Sequence, residues 1–168
     1  MTAMYKSNSA IKPYLVYRIG DDLFASKADQ IRKILDVSCL YSQKDMRPFN
    51  YSLNLCGEVV PIYDIAEKLG LSKTKINFKT CILIMQVSNQ SYKKYGFIVS
   101  EVKSLIDIKS KDIKDMPVGA KYKSNSIDKF IEMNEQIVRR IDFEKLLYDN
   151  SKRSLIKLHN KPKMIYSS

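Results

Sequence analysis

The side chains best suited to chemistry are scattered along the chain. His159 is the only histidine, and it lies in a basic segment where no acid or thiol accompanies it, so no catalytic triad is predicted. Cys39 and Cys81 lie in apolar runs typical of core positions, where a thiol lacks an activating base. The three cysteines are widely spaced and include no Cys-x-x-Cys pair, which indicates neither a disulfide framework nor a zinc site. We expect three free thiols.

Other patterns that could support catalysis have simpler explanations. Asp21 and Asp22 suit a turn, and Asp112 and Asp115 are interleaved with lysine. The sequence has no Gly-rich phosphate loop, no zincin helix and no calcium loop. It therefore predicts no catalytic residues, no cofactor and no metal. An enzyme would need a pocket with paired titratable groups, and fast alkylation of Cys56 would be the sign of one.

The net charge of +11 is the compositional feature that points to a partner. However, 23 of the 29 basic residues are lysines and they are spread along the chain, whereas phosphate and base recognition relies on the arginine fork. A basic barrel that binds nucleic acid remains an alternative, since eleven tyrosines could stack on bases. Tyr14 and Tyr17 are nevertheless expected on opposite faces of their strand.

The sequence contains no segment that suits a membrane span or a signal peptide. Its longest apolar run, Ile82–Met85, is far shorter than the roughly 20 residues that a spanning helix needs. The first residues are polar and lack an apolar core. We therefore expect a cytoplasmic protein.

Short apolar or alternating runs, broken by Gly, Asn, Asp and Ser about every ten residues, predict a mostly β fold. Tyr14–Ile19 is rich in aromatic and β-branched residues, and Gly20 and Asp21 can turn it back as a hairpin. Lys27–Ile34 instead places three apolar residues at helical spacing, which predicts a short amphipathic helical turn. A closing helix is predicted at Phe143–Leu147.

We count about ten predicted strands, five on each side of a charged linker at Ser72–Lys79. Sheets this small avoid exposed edges by curling into barrels. We therefore expect two small barrels side by side, at approximately 14–71, with the C-terminal segment contributing, and at 79–142. A flexible arm at 1–13 and a basic tail at 149–168 would flank this folded part.

Three residues near the middle of the chain have roles that follow from their chemistry. Gly57 can take a positive φ in a tight hairpin. Pro61 has to lie at a sheet edge or strand margin because it donates no ladder hydrogen bond. Asp64 can cap the helix predicted directly after it.

The segment Asn54–Leu71, NLCGEVVPIYDIAEKLGL, resembles the most recognisable segment of the CheW family. Members of that family have Asn-Leu-Arg-Gly, an apolar run into Pro, and then Asp before a short helix. Tyr14–Ile34 is similar to the family's opening hairpin and helical turn, and Tyr95–Ile108 and Ile137–Leu147 resemble its later hairpin and its last strand and helix. The resemblance implies two five-stranded Src-homology-3-like barrels with short helices and a C-terminal helix.

A CheW-type protein is a non-enzymatic adaptor in the cytoplasm, recruited to membrane-associated receptor arrays. The implied partners are the regulatory domain of a CheA-type histidine kinase and the cytoplasmic tip of methyl-accepting chemotaxis receptors, with other CheW-like domains as further candidates. Nucleic acid and direct membrane insertion are not expected. The resemblance implies partner contacts in the helical turn, the second hairpin and an apolar patch on the second barrel. These residues are Ile31, Arg32, Lys33, Ile34, Asn54, Leu55, Cys56, Gly57, Val102 and Leu105.

Two of these residues depart from the family's pattern. Cys56 stands where the family commonly has Arg, which removes a fixed charge and five hydrogen-bond donors. Lys33 stands where the family usually has an acid, and a partner built for the acid would reject the reversed charge unless it had changed too. Three versions of coupling remain open: a dedicated receptor with compensating acids, an adaptor for the kinase alone, or a paralogue that limits array assembly by competing for one partner.

Overall fold

The computed structural model describes residues 10–40, 51–86, 92–120, 122 and 124–148, with Tyr51 described by its backbone only. Eleven strands in this part of the chain form two sheets. The strands are β1 (Ile11–Ile19), β2 (Asp22–Lys27), β3 (Ile31–Asp36), β4 (Tyr51–Leu55), β5 (Glu58–Asp64), β6 (Cys81–Gln86), β7 (Lys94–Val99), β8 (Glu101–Lys109), β9 (Lys114–Asp115), β10 (Lys129–Met133) and β11 (Gln136–Arg140). The α-helices are α1 (Ile65–Lys68) and α2 (143–148), and single 3-10 turns lie at Ala28–Gln30, Val37–Leu40 and Ser110–Asp112.

The two sheets share one plan. The six-stranded sheet has the order β8-β1-β2-β11-β10-β9, and the five-stranded sheet has the order β3-β6-β7-β5-β4. In each sheet, three antiparallel strands join an antiparallel hairpin through one parallel pair, β2 with β11 or β7 with β5. A short helix follows the hairpin in both, α1 after β5 and α2 after β11. The fold is thus an internal repeat, although no repeat is visible in the sequence.

Three clusters of buried apolar side chains pack within and between the two sheets. The five-stranded barrel encloses Val37, Leu40, Leu53, Val60, Ile62, Ile82, Ile84 and Ile98. The six-stranded barrel encloses Tyr14, Val16, Ala25, Ile108, Ile131 and Val138. A third cluster, the central core, takes residues from both sheets and both α-helices, and includes Leu15, Tyr17, Ile65, Leu83, Met85, Phe97 and Phe143. The two barrels therefore lie side by side, as predicted.

Strands β1 and β6 are buried on both faces because each lies between its own barrel and the central core. Successive side chains of a strand point to opposite faces. On β6, Ile82 and Ile84 enter the five-stranded barrel, whereas Leu83 and Met85 enter the central core. Burial on both faces explains why these segments are continuous apolar runs and do not alternate.

The strands divide between the sheets differently from the predicted sub-barrels 14–71 and 79–142. β1 and β2 join the six-stranded sheet with strands that follow residue 100, and β6 and β7 join the five-stranded sheet with strands that precede residue 65. Pairing over such distances is set by tertiary contacts, which local hydrophobic periodicity does not report. Five strands per barrel is correct for one sheet, and the short β9 adds a sixth to the other.

The predicted outer limits of the folded part need one correction. Ile11–Pro13, expected in a flexible arm, belong to β1 and pair with residues 107–109 of β8. The closing helix forms as predicted and extends over 143–148. The basic tail at 149–168 lies outside the described residues.

The carboxylate of Asp64 fixes the helix α1 and the linker after it. Its Oδ1 accepts a hydrogen bond from the amide of Ala66 at 3.0 Å, which is the helix cap predicted from the sequence. The amide of Thr74 donates to Oδ2 at 2.7 Å, and the Thr74 hydroxyl donates to Oδ1 at 2.7 Å. Asp64 is only 6% exposed. One buried side chain thus holds two segments ten residues apart.

Candidate partner-binding surfaces

Ile31–Ile34, predicted as a helical turn, lies in strand β3 at the edge of the five-stranded sheet. The pairing of β3 with β6 shifts between Ile31 and Lys33, so Arg32 is the extra residue of a β-bulge. Ile31 lies opposite Met85 and Ile34 lies opposite Leu83. The bulge therefore turns two side chains three positions apart to the same face, which is the spacing that resembled a helix.

Strand β8, the edge of the six-stranded sheet, has the same irregularity. Its pairing with β1 shifts so that Val102 lies opposite Tyr17 and Leu105 lies opposite Leu15, with Lys103 as the extra residue. Tyr17 and Leu15 both belong to the central core. Val102 and Leu105 therefore also share one face although they are three positions apart.

These two bulged edge strands place four predicted contact residues beside the central core. Ile31 and Val102 are half-buried and pack against that core. Ile34 and Leu105 continue along the same faces into solvent, and are 46% and 64% exposed. We call Ile31, Ile34, Val102 and Leu105 the edge-strand surface. It offers apolar side chains that are exposed where the barrels meet.

The extra residues of the two bulges, Arg32 and Lys103, are both basic and both bind neighbouring groups. The Nε of Arg32 donates to the Oε1 of Gln86 at 3.1 Å, and one terminal nitrogen donates to the backbone oxygen of Asp29 at 3.0 Å. Lys103 forms an ion pair with Glu101 at 3.6 Å. Lys33 is exposed on β3. The β3 side of the edge-strand surface is therefore bordered by positive charge, whereas on β8 Glu101 offsets the charge of Lys103.

The second predicted group forms the tip of the β4–β5 hairpin. Cys56 and Gly57 have φ values of 52° and 88°, as in a type I′ turn, which needs positive φ at both positions. The Oδ1 of Asn54 accepts a hydrogen bond from the amide of Gly57 at 2.9 Å. Leu55 packs against the core of the five-stranded barrel. The positive φ expected at Gly57 is confirmed, and Cys56 shares it.

The hairpin tip carries an exposed residue that the sequence did not single out. Val59 is 68% exposed and lies opposite Asn54 in the pairing of β4 with β5. Cys56 is also exposed. Glu58, next to both, forms an ion pair with Lys94 at 3.4 Å. The alternation of β5 does not show which face of the strand is buried. The sequence therefore contains no sign that Val59 would be exposed.

Two tyrosines and one cysteine, Tyr17, Tyr122 and Cys81, have raised pKa values and structural roles. Burial raises the pKa of Tyr17, whose hydroxyl shares a 2.5 Å hydrogen bond with Ser26. Burial also raises the pKa of the Cys81 thiol, so this thiol stays protonated at neutral pH. Tyr122 donates a short hydrogen bond to Asp22, and burial raises the pKa of its hydroxyl too. These environments favour the neutral, unreactive form of each group.

The described residues also bear on nucleotide stacking, metal binding and membrane spanning. Tyr14 and Tyr17 are 2% and 0% exposed and belong to different cores, so neither can stack on a nucleotide base. Among the residues that the structure describes, no group of three or more His, Cys, Asp or Glu could hold a metal ion. Within the same ranges, no helix is long and apolar enough to span a membrane.

The fold and the position of these residues define a class of protein: a double β-barrel whose candidate contacts lie on exposed edge strands and a hairpin tip. Comparison with known families matches residues 13–151 to the CheW-like domain. The match covers most of the chain. The protein is therefore a divergent member of the CheW-like domain family.

Two individual proteins illustrate how far this member has diverged. The chemotaxis protein CheW of Bacillus subtilis (strain 168) is 23% identical over 158 residues, which cover 93% of this chain and 97% of that protein. The crystal structure of scaffolding protein TtCheW from Thermoanaerobacter tengcongensis has a TM-score of 0.65 and 18% identity, and covers 77% of this chain and 88% of that one. The structural likeness shows that the fold is shared.

Proposed function

We propose that this protein is a non-enzymatic chemotaxis adaptor that couples the cytoplasmic tip of methyl-accepting receptors to the regulatory domain of a CheA-type histidine kinase. Membership in the CheW-like family supports an adaptor in general. A curated relative that is a chemotaxis protein and a structural neighbour that is a scaffolding protein support the same role. The adaptor would act in the cytoplasm, at membrane-associated receptor arrays.

The observation that carries the receptor half of this proposal is the pair of bulged edge strands. The bulges in β3 and β8 turn Ile34 and Leu105 to faces that continue the central core into solvent. Exposed apolar side chains beside a buried core suit the apolar face of a partner helix. We assign the edge-strand surface to the receptor tip.

The kinase half of the proposal is supported by the β4–β5 hairpin and Lys33. The hairpin tip presents Cys56 and Val59 on a rigid two-residue turn. A rigid, exposed tip loses little conformational entropy when it is bound. Cys56 and Lys33 would then define which kinase this member accepts, because both differ in charge from the family pattern.

The proposal is tested by titrating the purified protein with the regulatory region of the CheA kinase from its own organism, using calorimetry. We expect micromolar binding that changes by about tenfold or more with Lys33→Glu and with Cys56→Arg, because both add or reverse a charge at the contact. Lys111→Glu, an exposed lysine on the 3-10 turn after β8, is the matched control and should bind as the wild type does. If a folded sample shows no detectable kinase binding, the coupling proposal fails and the protein shares only its fold with the family.

The receptor half has a separate test with a soluble receptor-tip fragment. Ile34→Ser and Leu105→Ser should each weaken binding by about tenfold, since each removes an exposed apolar contact. Tyr92→Ser, at a residue that is 91% exposed outside this surface, should have no effect. Kinase binding without receptor binding would identify an adaptor for the kinase alone or a competitor that limits assembly.

A further inference from the structure

A cleft between helix α2 and the loop that joins β9 to β10 is used by neither candidate surface. We call it the loop–helix cleft. Its volume is about 1010 Å³. Its apolar lining comes from Met116, Pro117, Ala120, Tyr122, Ile127 and Tyr148. None of the residues that line it belongs to the edge-strand surface or to the β4–β5 hairpin tip.

Contacts of the β9–β10 loop with the rest of the six-stranded barrel form this cleft in advance. The amide of Asp142, directly before α2, donates to the backbone oxygen of Ser126 at 2.8 Å. The buried Tyr122 donates a short hydrogen bond to Asp22, and its ring centre lies 5.5 Å from that of Phe24. The loop is therefore fixed to β2 and to the start of α2, and the cleft is a lasting part of the fold.

The rim of the cleft leaves apolar side chains in solvent. Tyr148 is 60% exposed, Pro117 is exposed, and Val118 beside it is fully exposed. Exposed apolar side chains that lie together mark a contact site more often than isolated ones do. The cleft therefore suits an apolar segment of chain.

Such a segment is attached at the rim itself. Tyr148 lines the cleft and is the last residue of α2, and twenty residues follow it in the sequence. Residues 149–154 are all polar, and Leu155, Ile156 and Leu158, which we call the tail cluster, come next. Seven residues of extended chain reach about 23 Å, whereas a cavity of about 1010 Å³ is about 10 Å wide. The polar spacer is thus long enough to bring the tail cluster into the cleft.

Charge favours the same occupant. Among the described residues that line the cleft, Asp128 and Glu144 are acidic and Lys145 is basic, which leaves one net negative charge. The chain from Ser151 to Ser168 has five Lys or Arg and no acid. A basic segment is therefore attracted to this cleft, although the apolar side chains supply most of the contact.

We propose that the tail cluster docks in the loop–helix cleft of its own chain. A short tether keeps the cluster at a millimolar effective concentration near the cleft, so even a weak apolar contact is occupied. Docking would cover the exposed ring of Tyr148 and brace the β9–β10 loop against α2. The contact lies within one molecule and away from both candidate partner surfaces, so it goes beyond coupling to a receptor or kinase.

Hydrogen exchange of the full chain, followed by mass spectrometry, tests this docking. The triple variant Leu155→Ser, Ile156→Ser, Leu158→Ser should exchange the amides of the β9–β10 loop about tenfold or more faster than the wild type does. The matched control replaces three apolar residues farther along the same tail, Met164→Ser, Ile165→Ser and Tyr166→Ser. The control should exchange as the wild type does. Equal exchange in the two triple variants overturns the proposal.

A change in the cleft tests the other side of the contact. Ala120→Arg places a long side chain in the cleft, whereas Val118→Arg adds the same charge to a fully exposed residue outside the lining. We expect amides 154–159 to exchange more slowly than an unstructured peptide in the wild type and in Val118→Arg, and at the unprotected rate in Ala120→Arg. Wild-type amides 154–159 without protection, or protection that survives Ala120→Arg, contradict docking at this site.

Dilution separates docking within one chain from exchange of tails between two copies. Because the tail and its cleft belong to one molecule, the protection of amides 154–159 should be the same at low and high micromolar concentration. Protection that grows with concentration would place the tail in the cleft of a second copy and overturn the assignment to the same chain. Kinase and receptor are absent from these measurements, so their outcome is separate from the coupling proposal.

Discussion

At the scale of single residues, Cys56 occupies a backbone conformation that suits other side chains better. Its φ of 52° lies in the left-handed region, where a side chain other than Gly or Asn costs about 1–2 kcal/mol. We expect Cys56→Asn to raise the free energy of unfolding by up to about 1 kcal/mol, and Cys56→Val, which is β-branched, to lower it by a similar amount. Urea denaturation measures both. Equal stability of the two variants would mean that the turn relaxes to another conformation.

Asp64 should be among the most sensitive polar residues of the domain. Asp64→Ala removes one buried acceptor that serves three donors on Ala66 and Thr74. Hydrogen bonds to buried charged groups contribute strongly, so we expect a loss of about 2–4 kcal/mol in the free energy of unfolding. Thermal and urea unfolding would measure it, with Glu67→Ala, an exposed acid in the same helix, as the control. A cost below that of the control would contradict the role assigned to Asp64.

The sequence could predict part of each of these residue roles. The helix cap at Asp64 is a local pattern, so it was predictable and is confirmed. Its second role, toward Thr74, joins residues ten positions apart and depends on how the linker folds back. The positive φ of Gly57 could be predicted because glycine adopts it readily. The positive φ of Cys56 could not, because cysteine is not a residue that usually marks a left-handed turn.

At the scale of elements, Gly96 marks where strand β7 passes close to its neighbours. A Cβ at this position would lie 2.1 Å from the Cδ1 of Ile62 and 3.2 Å from side-chain atoms of Ile82 and Ile84. Gly96→Ala should therefore overpack the five-stranded barrel and cost about 1–3 kcal/mol.

Ile62→Val removes the Cδ1 atom that this added methyl group would meet, and alone should cost about 0.5–1.5 kcal/mol. The double variant should lose less stability than the sum of the two single variants, because the methyl group then has room. Urea denaturation of all four proteins completes the cycle. If the stability losses of Gly96→Ala and Ile62→Val simply add, the methyl group at residue 96 is accommodated by a shift of β7 and not by the side chain of Ile62.

The helix α2 is held to the six-stranded barrel partly by charge. Lys145 donates to Asp128 at 2.8 Å, and Arg140 lies 3.4 Å from the same carboxylate. Partial burial raises the pKa of Asp128, but the hydrogen bond from Lys145 and the charges of Lys145 and Arg140 outweigh it, so the pKa lies below its usual 3.8.

A carboxyl group with a lowered pKa stabilises the fold above its unfolded pKa of about 3.9, and this stabilisation is lost as pH falls through the folded value. The pair is largely exposed, so Asp128→Asn should cost less than about 1 kcal/mol at pH 7. The difference from the wild type should shrink below about pH 4. Thermal unfolding at several pH values measures it, with Asp107→Asn as an exposed control. A constant difference down to pH 2 would contradict the ion-pair explanation.

The strand β3 shows why an element can be predicted wrongly from sound rules. Apolar residues three positions apart are typical of a helix, but the bulge at Arg32 gives Ile31 and Ile34 the same spacing within a strand. The backbone conformation predicted for Ile31–Ile34 was therefore wrong, although Ile31 and Ile34 share one face in the strand as they would in a helix. Bulges follow from pairing with a distant strand, here β6, and local patterns do not reveal them.

At the scale of the whole molecule, the central core makes the two barrels depend on each other. Phe143 on α2 is fully buried and its ring lies 4.6 Å from that of Phe97 on β7, so the two barrels meet at this pair. Phe143→Ala should cost about 3–5 kcal/mol.

Because the central core is shared, the chain should unfold in a single transition in which amides of β1 and β6 exchange with the same free energy. Hydrogen exchange of the wild type and of Phe143→Ala would measure this. Two separate transitions in the wild type would show that the barrels are independent.

The general architecture was predictable because composition and alternation report a β fold with two small barrels. The division of strands was not, because β1 and β2 pair with strands that begin at Glu101 and later. The plan shared by both sheets was likewise hidden, since Cys56-Gly57 and Asn134-Glu135 occupy equivalent left-handed turns with unlike residues. Equivalent backbones do not require similar side chains.

The division of strands also sets an order in which the chain can fold on the ribosome. All five strands of one barrel lie within residues 31–99 and are complete while β8–β11 are still unsynthesised. The hairpin β1–β2, which emerges before the other described strands, must wait for β8 and β11 before its edges are paired and both of its faces are covered. Since translation adds about 5–20 residues per second, this hairpin remains exposed for several seconds in every nascent chain. Of the described strands, the first two to be made are thus among the last to be enclosed.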